Sequence, residues 1–518
     1  MKIPLIFICY VLFQVNLAGQ IADRKDTTQH KKIEFLNADE AIFDENAQPP
    51  VLRIRGRVVM RHQDVYMFCD SAWRYSDRNA FDGFGLVHIQ QGDSVDAYGD
   101  TLRYDGDKKV AFLSGNVLVK DRGTILRSPR LTYNLGNRII YYSDSSVTNS
   151  GKNSITSQVG LYESRQKRMA FKGNVIIRNK DYLIRSDTVF YHTDTDVAYF
   201  FGPTTITGDS VTIFCRFGWH DTNSDISSFA GGATVSQKSR ILSGDSLYYD
   251  GTNGYGRARF HVILKDTTEK AFVFGNFAET FEKKGYSYIT DSVTLILQVS
   301  DDSIFLSSDT LHVWEDEECD KVIQAAHQVR FYLRDLQGVC DSLVFFVGDS
   351  LLQLYRTPVL WSENNQMISR FINVYLKYGK IHRFEMYEQS LVISQEDSAY
   401  FNQLGSIFMN GYFDNENLER IEARGAAASI YYPQEEDGEF IGMNNARAEE
   451  IIIWLKDKKV EKIKFFPSPK GILIPLAEIQ DKNSKLQGFT WIPELRPSER
   501  YDIYSNKKTT PKFSTGNQ

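Results

Sequence analysis

Proline is scarce in this chain, 13 residues in 518, and only four of them, at 129, 203, 358 and 433, lie between residues 51 and 466. Histidine is scarcer, nine residues with no His-x-His and no His-Glu-x-x-His, so a catalytic zinc site has no support. After the first twenty residues no segment approaches the ~18 uninterrupted apolar residues of a membrane-spanning helix. Nor is there a basic stripe: 60 Lys and Arg stand against 66 Asp and Glu, interspersed, for a net charge of −6. That balance excludes nucleic acid as a main partner.

What is abundant is aromatic, with 28 Tyr and 34 Phe, and that composition together with the missing proline favours strands. The opening "MKIPLIFICYVLFQVNLAGQ" has a basic Lys2, an apolar run from Ile3 to Phe13 and small residues at Ala18 and Gly19, the pattern of a secretory signal peptide cleaved near Gly19. Gln20 stands where a lipidated cysteine would be, and the chain ends "KFSTGNQ" without the terminal aromatic residue of outer-membrane barrels. The expectation is an exported, anchorless, periplasmic or extracellular protein. Beyond Cys9 in the leader, Cys69, Cys215, Cys319 and Cys340 allow up to two disulfides in three connectivities, and none has zinc spacing.

The tetrapeptide Gly-Asp-Ser-(Val/Leu) occurs at 92, 208, 244 and 348. Looser forms are Asp70-Ser71, Asp100-Thr101, Asp187-Thr188, Asp291-Ser292, Asp309-Thr310 and Asp341-Ser342, each followed by apolar residues at alternate positions. That is the period of a half-buried strand. From Asp70 the slots run through Asp100, Pro129, Gln158 and Asp187 at about 29 residues, and Asp245 lies two periods on. A second series, Gly56, Gly85, Gly115, Ser145, Gly173, Gly202 and Gly231, interleaves at the same period. Two phased signals at one period predict an elongated β-repeat, with Asp-Ser and Gly-Asn read as the turns between short strands. The period loosens after about 250, which predicts insertions, a bend or a break between 250 and 330. Six prolines in the last 52 residues set off a tail from Pro467, expected to dock through Phe489 and Trp491 and then to lack structure.

Few residues suggest chemistry. Gly-Asp-Ser-Leu is an esterase nucleophile signature, but Ser246 and Ser350 are members of a repeat, there is no Gly-x-Ser-x-Gly elbow, and the only Asp-x-x-His, Asp309 to His312, is itself a strand repeat. Asp93, Asp96 and Asp100 match no calcium loop and read as turn caps. "HTDTD" at 192 and "WHD" at 219 read as exposed turns. The chain is therefore expected not to be an enzyme and to need no cofactor. The recurrent apolar row is either closed core or, if the folded sheet stays open along one side, an acyl-binding groove.

"GDTLRYDGDKKVAFLSGNVLV", "SDTVFYHTDTDVAYFFG" and "KIEFLNADEAIFDE" resemble the OstA-like family of periplasmic lipopolysaccharide-transport proteins, over most of residues 32 to 497 and most strongly from 52 to 250. The resemblance implies an all-β, V-shaped, LptA-like β-jelly roll that carries lipid A acyl chains inside. It also implies a non-enzymatic bridge that moves lipopolysaccharide to the outer membrane. Its partners would be related OstA-like domains of inner- and outer-membrane proteins, or further copies end to end. Carried onto this chain, the groove would be lined by Leu102, Tyr104, Val117, Val119, Leu131, Tyr133, Val175, Ile177, Val189, Tyr191, Leu247 and Tyr249. The implied organisation is a leader at 1–19, an OstA-like repeat at 32–300, a divergent second repeat region at 301–466 and the tail at 467–518. A glycan-binding or structural β-solenoid is the alternative.

Overall fold

The computed structural model describes residues 32–504, except 222, 300–301, 316–320, 379, 415–416, 436–437, 457–458 and 481–482. The expected leader with its cleavage point near Gly19, Cys9, Cys319 and the last residues of the tail lie outside the described residues. Within them there are thirty-four strands, five short 3-10 turns and no α-helix. The fold is all-β, a jelly-roll-like array of bent antiparallel strands. Compact packing divides it into two units, residues 1–115 with 134–136, and residues 116–133 with 137–518.

In the first unit, Val51–His62, Val65–Tyr75, Ala80–Gln91 and Val95–Asp105 pair in chain order. Each pairing slips once near mid-strand, between Arg55 and Val58, Phe68 and Ser71, and Phe84 and Val87. A bulge of this kind bends the strand, so every strand is two short arms meeting at a corner. The two sequence series are the two sides of those corners. Gly56, Gly85, Gly115, Gly173, Gly202 and Gly231 all have φ between +72° and +85°. At Gly85 a Cβ would stand 2.4 Å from a carboxylate oxygen of Asp70. Only glycine accepts both the left-handed backbone and that approach.

This corrects the expected turn grammar. The Asp-Ser and Gly-Asn pairs lie within strands, at the bends, because the chain folds over where the ladder slips. The tetrapeptide itself serves two purposes: at 92, 208 and 348 it makes turns or bends between strands, whereas Gly244-Asp245-Ser246-Leu247 runs inside the strand Arg240–Asp250.

In the second unit, among the described residues, the same pairing in chain order with one mid-strand slip links Ile226–Gln237 through to Lys321–Leu333. Two physical changes loosen the period there. Tyr286–Val299 and Asp302–Glu315 lengthen to 14 residues. The left-handed corner pairs become Phe260-His261, Asp291-Ser292 and His327-Gln328, so the glycine signal is lost while the bend stays.

The tail returns along the outer face of this unit. Phe489 and Trp491 pack on Phe401, with ring centroids 5.6 and 5.4 Å away. Ile492 and Leu495 cover a cluster of Val339, Val359, Trp361 and Ile368. Side chains meet its backbone all along: Gln403 donates to Ser484 O at 2.8 Å, Gln366 to Thr490 O at 2.6 Å and Arg330 to Leu495 O at 2.9 Å.

Candidate functional site

The inner faces of the two arms are read most directly from cross-strand partners in the second unit. On one arm, called A here, a row runs Leu126, Thr148, Ile155, Ile177, Ile184, Ile206, Ile213, Val235, Leu242, Leu264, Val273, Leu295, Leu306, Phe331, each opposite the next. Thr148 is its only polar rung. On arm B the row nearest the corner runs Phe171, Val189, Phe200, Gly218, Phe229, Leu247, Ala258, Ala278, Ile289, Leu311. The arms face each other: Ile155, Ile177 and Ile184 line a small cavity together with Ala198, Phe200 and His220 of arm B.

The interior is not uniform along its length. Ile155, Ile177 and Ile184 are buried, as are Leu306 and Phe331. Between them Val273 is buried, Ile206, Ile213, Val235, Leu242 and Leu295 are only half-buried, and Leu264 is 37% exposed. Across the gap, in the six strands from Val211–Asp221 to Tyr286–Val299, the arm B row interrupts its large residues Phe229, Leu247 and Ile289 with Gly218, Ala258 and Ala278, where the stretch before it runs Phe171, Val189, Phe200. Less bulk therefore stands over arm A there, and water reaches part of it.

The next row of arm B changes character over the same six strands. It reads Met169, Tyr191, Ala198, then His220, Ser227, Tyr249, Gly256, Thr280, Ser287, then Val313, Ile323, Phe345. His220 Nδ1 lies 2.8 Å from Ser227 Oγ, and Ser287 donates to Thr280 Oγ1 at 2.8 Å. Burial pushes the His220 imidazole down, towards the neutral form. Tyr191 is pushed up by burial and by its hydrogen bond to Asp196 at 2.6 Å.

Of the twelve residues expected to line the interior, Leu102, Tyr104, Val117, Val119, Leu131, Tyr133, Val175, Ile177, Val189, Tyr191 and Leu247 are buried. Val175, Ile177, Val189 and Tyr191 share one cluster, and Leu247 belongs to the next. In the first unit Tyr104 is held by His62, its hydroxyl 2.6 Å from Nδ1. Tyr249 lies in an inner arm B row between Ser227 and Gly256 and is 38% exposed. The "WHD" turn is also corrected. Those residues end a strand, and His220 faces the interior.

Sequence reasoning followed the strand halves after each Asp and, after Gly-Asn, named Val117, Val119, Val175 and Ile177, but it passed over the arm A residues Ile206, Ile213, Val235 and Leu242. The alternation in "TTITGDSVTIF" was the available signal. Ser246, within a strand opposite Ala230 and Arg259, has its neighbour Asp245 in contact with an exposed His261 at 3.0 Å. Among the described residues no group of three or more metal-ligating side chains is placed to hold an ion. No helix among them is long and apolar enough to cross a membrane.

The outer face of arm B carries a second, aromatic feature. Glu279 accepts from Tyr255 at 2.5 Å and from Tyr288 at 2.8 Å. Around it Tyr255, Phe281, Tyr286 and Trp314 follow one another with centroid distances of 5.4, 5.9 and 5.4 Å.

No curated protein sequence matches the chain. Among solved structures it is similar to LptH of Pseudomonas aeruginosa, described as the LptA homologous periplasmic component of the conserved lipopolysaccharide transport device. The identity is 13%, over 20% of this chain and 79% of that one, with a TM-score of 0.19. Residues 30–187 match the family model of OstA-like proteins.

Proposed function

We propose that the protein is a non-enzymatic periplasmic lipid carrier that moves lipopolysaccharide towards the outer membrane, with acyl chains held between the arms. The observation that carries this reading is the arm A row, apolar at every rung but one and uncovered over its middle. Leaving Ile206, Ile213, Val235, Leu242 and Leu264 partly in water is unfavourable, and each methylene of an acyl chain laid over them recovers about 0.8 kcal/mol. Beside the hydrogen-bonded His220–Ser227 pair, the interior of the described residues offers shape, apolar surface and a few hydroxyls, which suits transport without chemistry.

In this reading the mature chain begins near Gly19 without a lipid anchor, and its ends meet related sheets. Glu34–Asn37 and Glu40–Asp44 pair only on one side among the described residues, and Ile42 and Phe43 are 52% and 55% exposed. Such an open edge with uncovered apolar ends suits strand addition by an OstA-like partner or a second copy. The region before about 300 would carry lipid, and 301–466, braced by the tail, would serve as the rigid half.

Native mass spectrometry of the mature chain, purified gently from its own periplasm, tests the reading. Bound lipid A-bearing species are expected. A chain that arrives empty and takes up no added lipopolysaccharide would overturn it. The aromatic run around Glu279 favours a second reading, glycan binding on the outer face. Retention on immobilised polysaccharide, lost on Trp314→Ala and Tyr286→Ala, would be its signature.

A further inference from the structure

The six strands from Val211–Asp221 to Tyr286–Val299 combine three features that occur together nowhere else along the rows traced above. Arm A is apolar and largely half-uncovered, the inner row of arm B alternates Phe229, Leu247 and Ile289 with Gly218, Ala258 and Ala278, and the outer row of arm B carries no apolar aliphatic side chain for six rungs, five polar and Gly256, before returning to Val313 and Ile323. Five strand spacings of ~4.8 Å give this stretch a run of about 24 Å. It is a trough with one greasy wall and one hydroxylated wall.

The polar wall has no cation. Along the inner rows of these strands the charged side chains are Arg240 and Asp266, at the rim of arm A, and they are paired with each other at 3.1 Å. His220 is biased to the neutral imidazole by burial. Phosphate recognition needs Arg, Lys or a cluster of backbone donors; none faces this wall. Hydroxyls and a neutral imidazole instead suit uncharged donors and acceptors. The pairs His220–Ser227 and Thr280–Ser287 each keep capacity, since a hydroxyl offers three positions and the ring a second nitrogen.

We infer that these six strands form a distinct subsite for the uncharged, oxygen-rich shoulder of an acylated lipid. Its ester, amide or hydroxyl groups rest on Ser227, Thr280 and Ser287 while its acyl chain lies on Val235, Leu242 and Leu264. The inference rests on the carrier reading and deepens it: the buried stretches on either side accept hydrocarbon only, and this trough is where a whole amphiphile fits. The small side chains of Ala258 and Ala278, between Leu247 and Ile289, are the ones that leave room.

The test compares two amphiphiles of equal chain length on the full mature chain. Monopalmitoylglycerol carries an ester and two hydroxyls, and hexadecyltrimethylammonium carries no hydrogen-bonding group. Thr280→Val with Ser287→Ala keeps volume and strand propensity, and Tyr199→Phe, on the opposite face from Ala198 and Phe200, removes one exposed hydroxyl as a control; unchanged thermal unfolding verifies the fold. The double variant should bind monopalmitoylglycerol about tenfold more weakly, from two lost hydrogen bonds. Its affinity for hexadecyltrimethylammonium should stay within about twofold of the parent. Leu242→Asn should weaken both.

Equal affinities of the double variant and the parent for monopalmitoylglycerol, or an equal loss for both probes, would overturn the subsite and leave the carrier reading standing. A parent chain that binds neither probe nor lipopolysaccharide would overturn the carrier reading and the subsite with it. A preference of the parent for a palmitoyl phosphate over monopalmitoylglycerol would overturn the uncharged assignment.

Discussion

Replacing one rung of the arm A row by asparagine should have opposite consequences inside and outside the uncovered stretch. At Ile184, 4% exposed between Ile177 and Ile206, the substitution removes a fully buried side chain, about 1.5 to 3 kcal/mol. It also buries an amide in a cavity whose walls include Ile155, Ile177, Ala198 and Phe200, about 1 to 3 kcal/mol more for hydrogen bonds lost to water. Roughly 3 to 5 kcal/mol is a large share of the stability of an ordinary domain. At Leu242 the side chain is already half in water and the new amide can stay hydrated, so the cost falls to about 1 kcal/mol. Urea unfolding followed by far-ultraviolet circular dichroism measures the order of the two midpoints, and lipid retention after purification measures the function. Ile184→Asn should unfold early. Leu242→Asn should stay folded and come out depleted of lipid. Equal destabilisation by the two would mean that the stretch is closed, and full lipid retention by a folded Leu242→Asn would mean that arm A does not hold the acyl chain.

Other substitutions test the corners, the thiols and the buried imidazole. Gly85→Ala should destabilise by more than Gly123→Ala, because both have positive φ but only Gly85 faces a carboxylate, and Asp70→Ala should recover part of the difference; chemical unfolding of the three variants checks it. A left-handed alanine alone costs about 1 kcal/mol. Cys69, Cys215 and Cys340 are free and buried, and burial pushes Cys69 and Cys215 up to about 11, so maleimide at neutral pH should leave all three unlabelled until denaturant is added, as mapped by peptide mass. Because His220 is held below the usual imidazole value of about 6.5, its contribution to stability is complete above that pH. It is lost as the pH falls below 6.5 and the unfolded chain takes the proton first. His220→Gln should flatten the part of the stability profile that falls as the pH drops below the usual imidazole value, measured by thermal unfolding across buffers.

The candidate interior was legible wherever a strand half follows an Asp corner. Val189 and Tyr191, or Leu131 and Tyr133, announce themselves because alternation is a property of a few neighbouring residues. His220 did not, since a histidine between Trp219 and Asp221 carries no sign of which face it will take until the ladder slip upstream sets the register. Tyr249, expected at the interior, is a related case. It has the right phase, but its exposure depends on Gly256, on the next strand, and not on its own neighbours.

Strand periodicity, the 29-residue period, the all-β class and the corner glycines are local matters, governed by φ, by Cβ sterics and by the alternation of apolar residues, and the amino-acid sequence alone determined them. That the Gly and Asp series meet at one bend, that the bend survives at Phe260-His261 and His327-Gln328 without glycine, and that the tail lies over Trp361 were decided only in three dimensions. So was the uncovered stretch. Whether Leu242 meets water depends on the bulk that residues such as Gly218 and Ala278 place across the interior, on strands far apart in sequence, and side-chain size acts there only once packing has brought the two arms face to face.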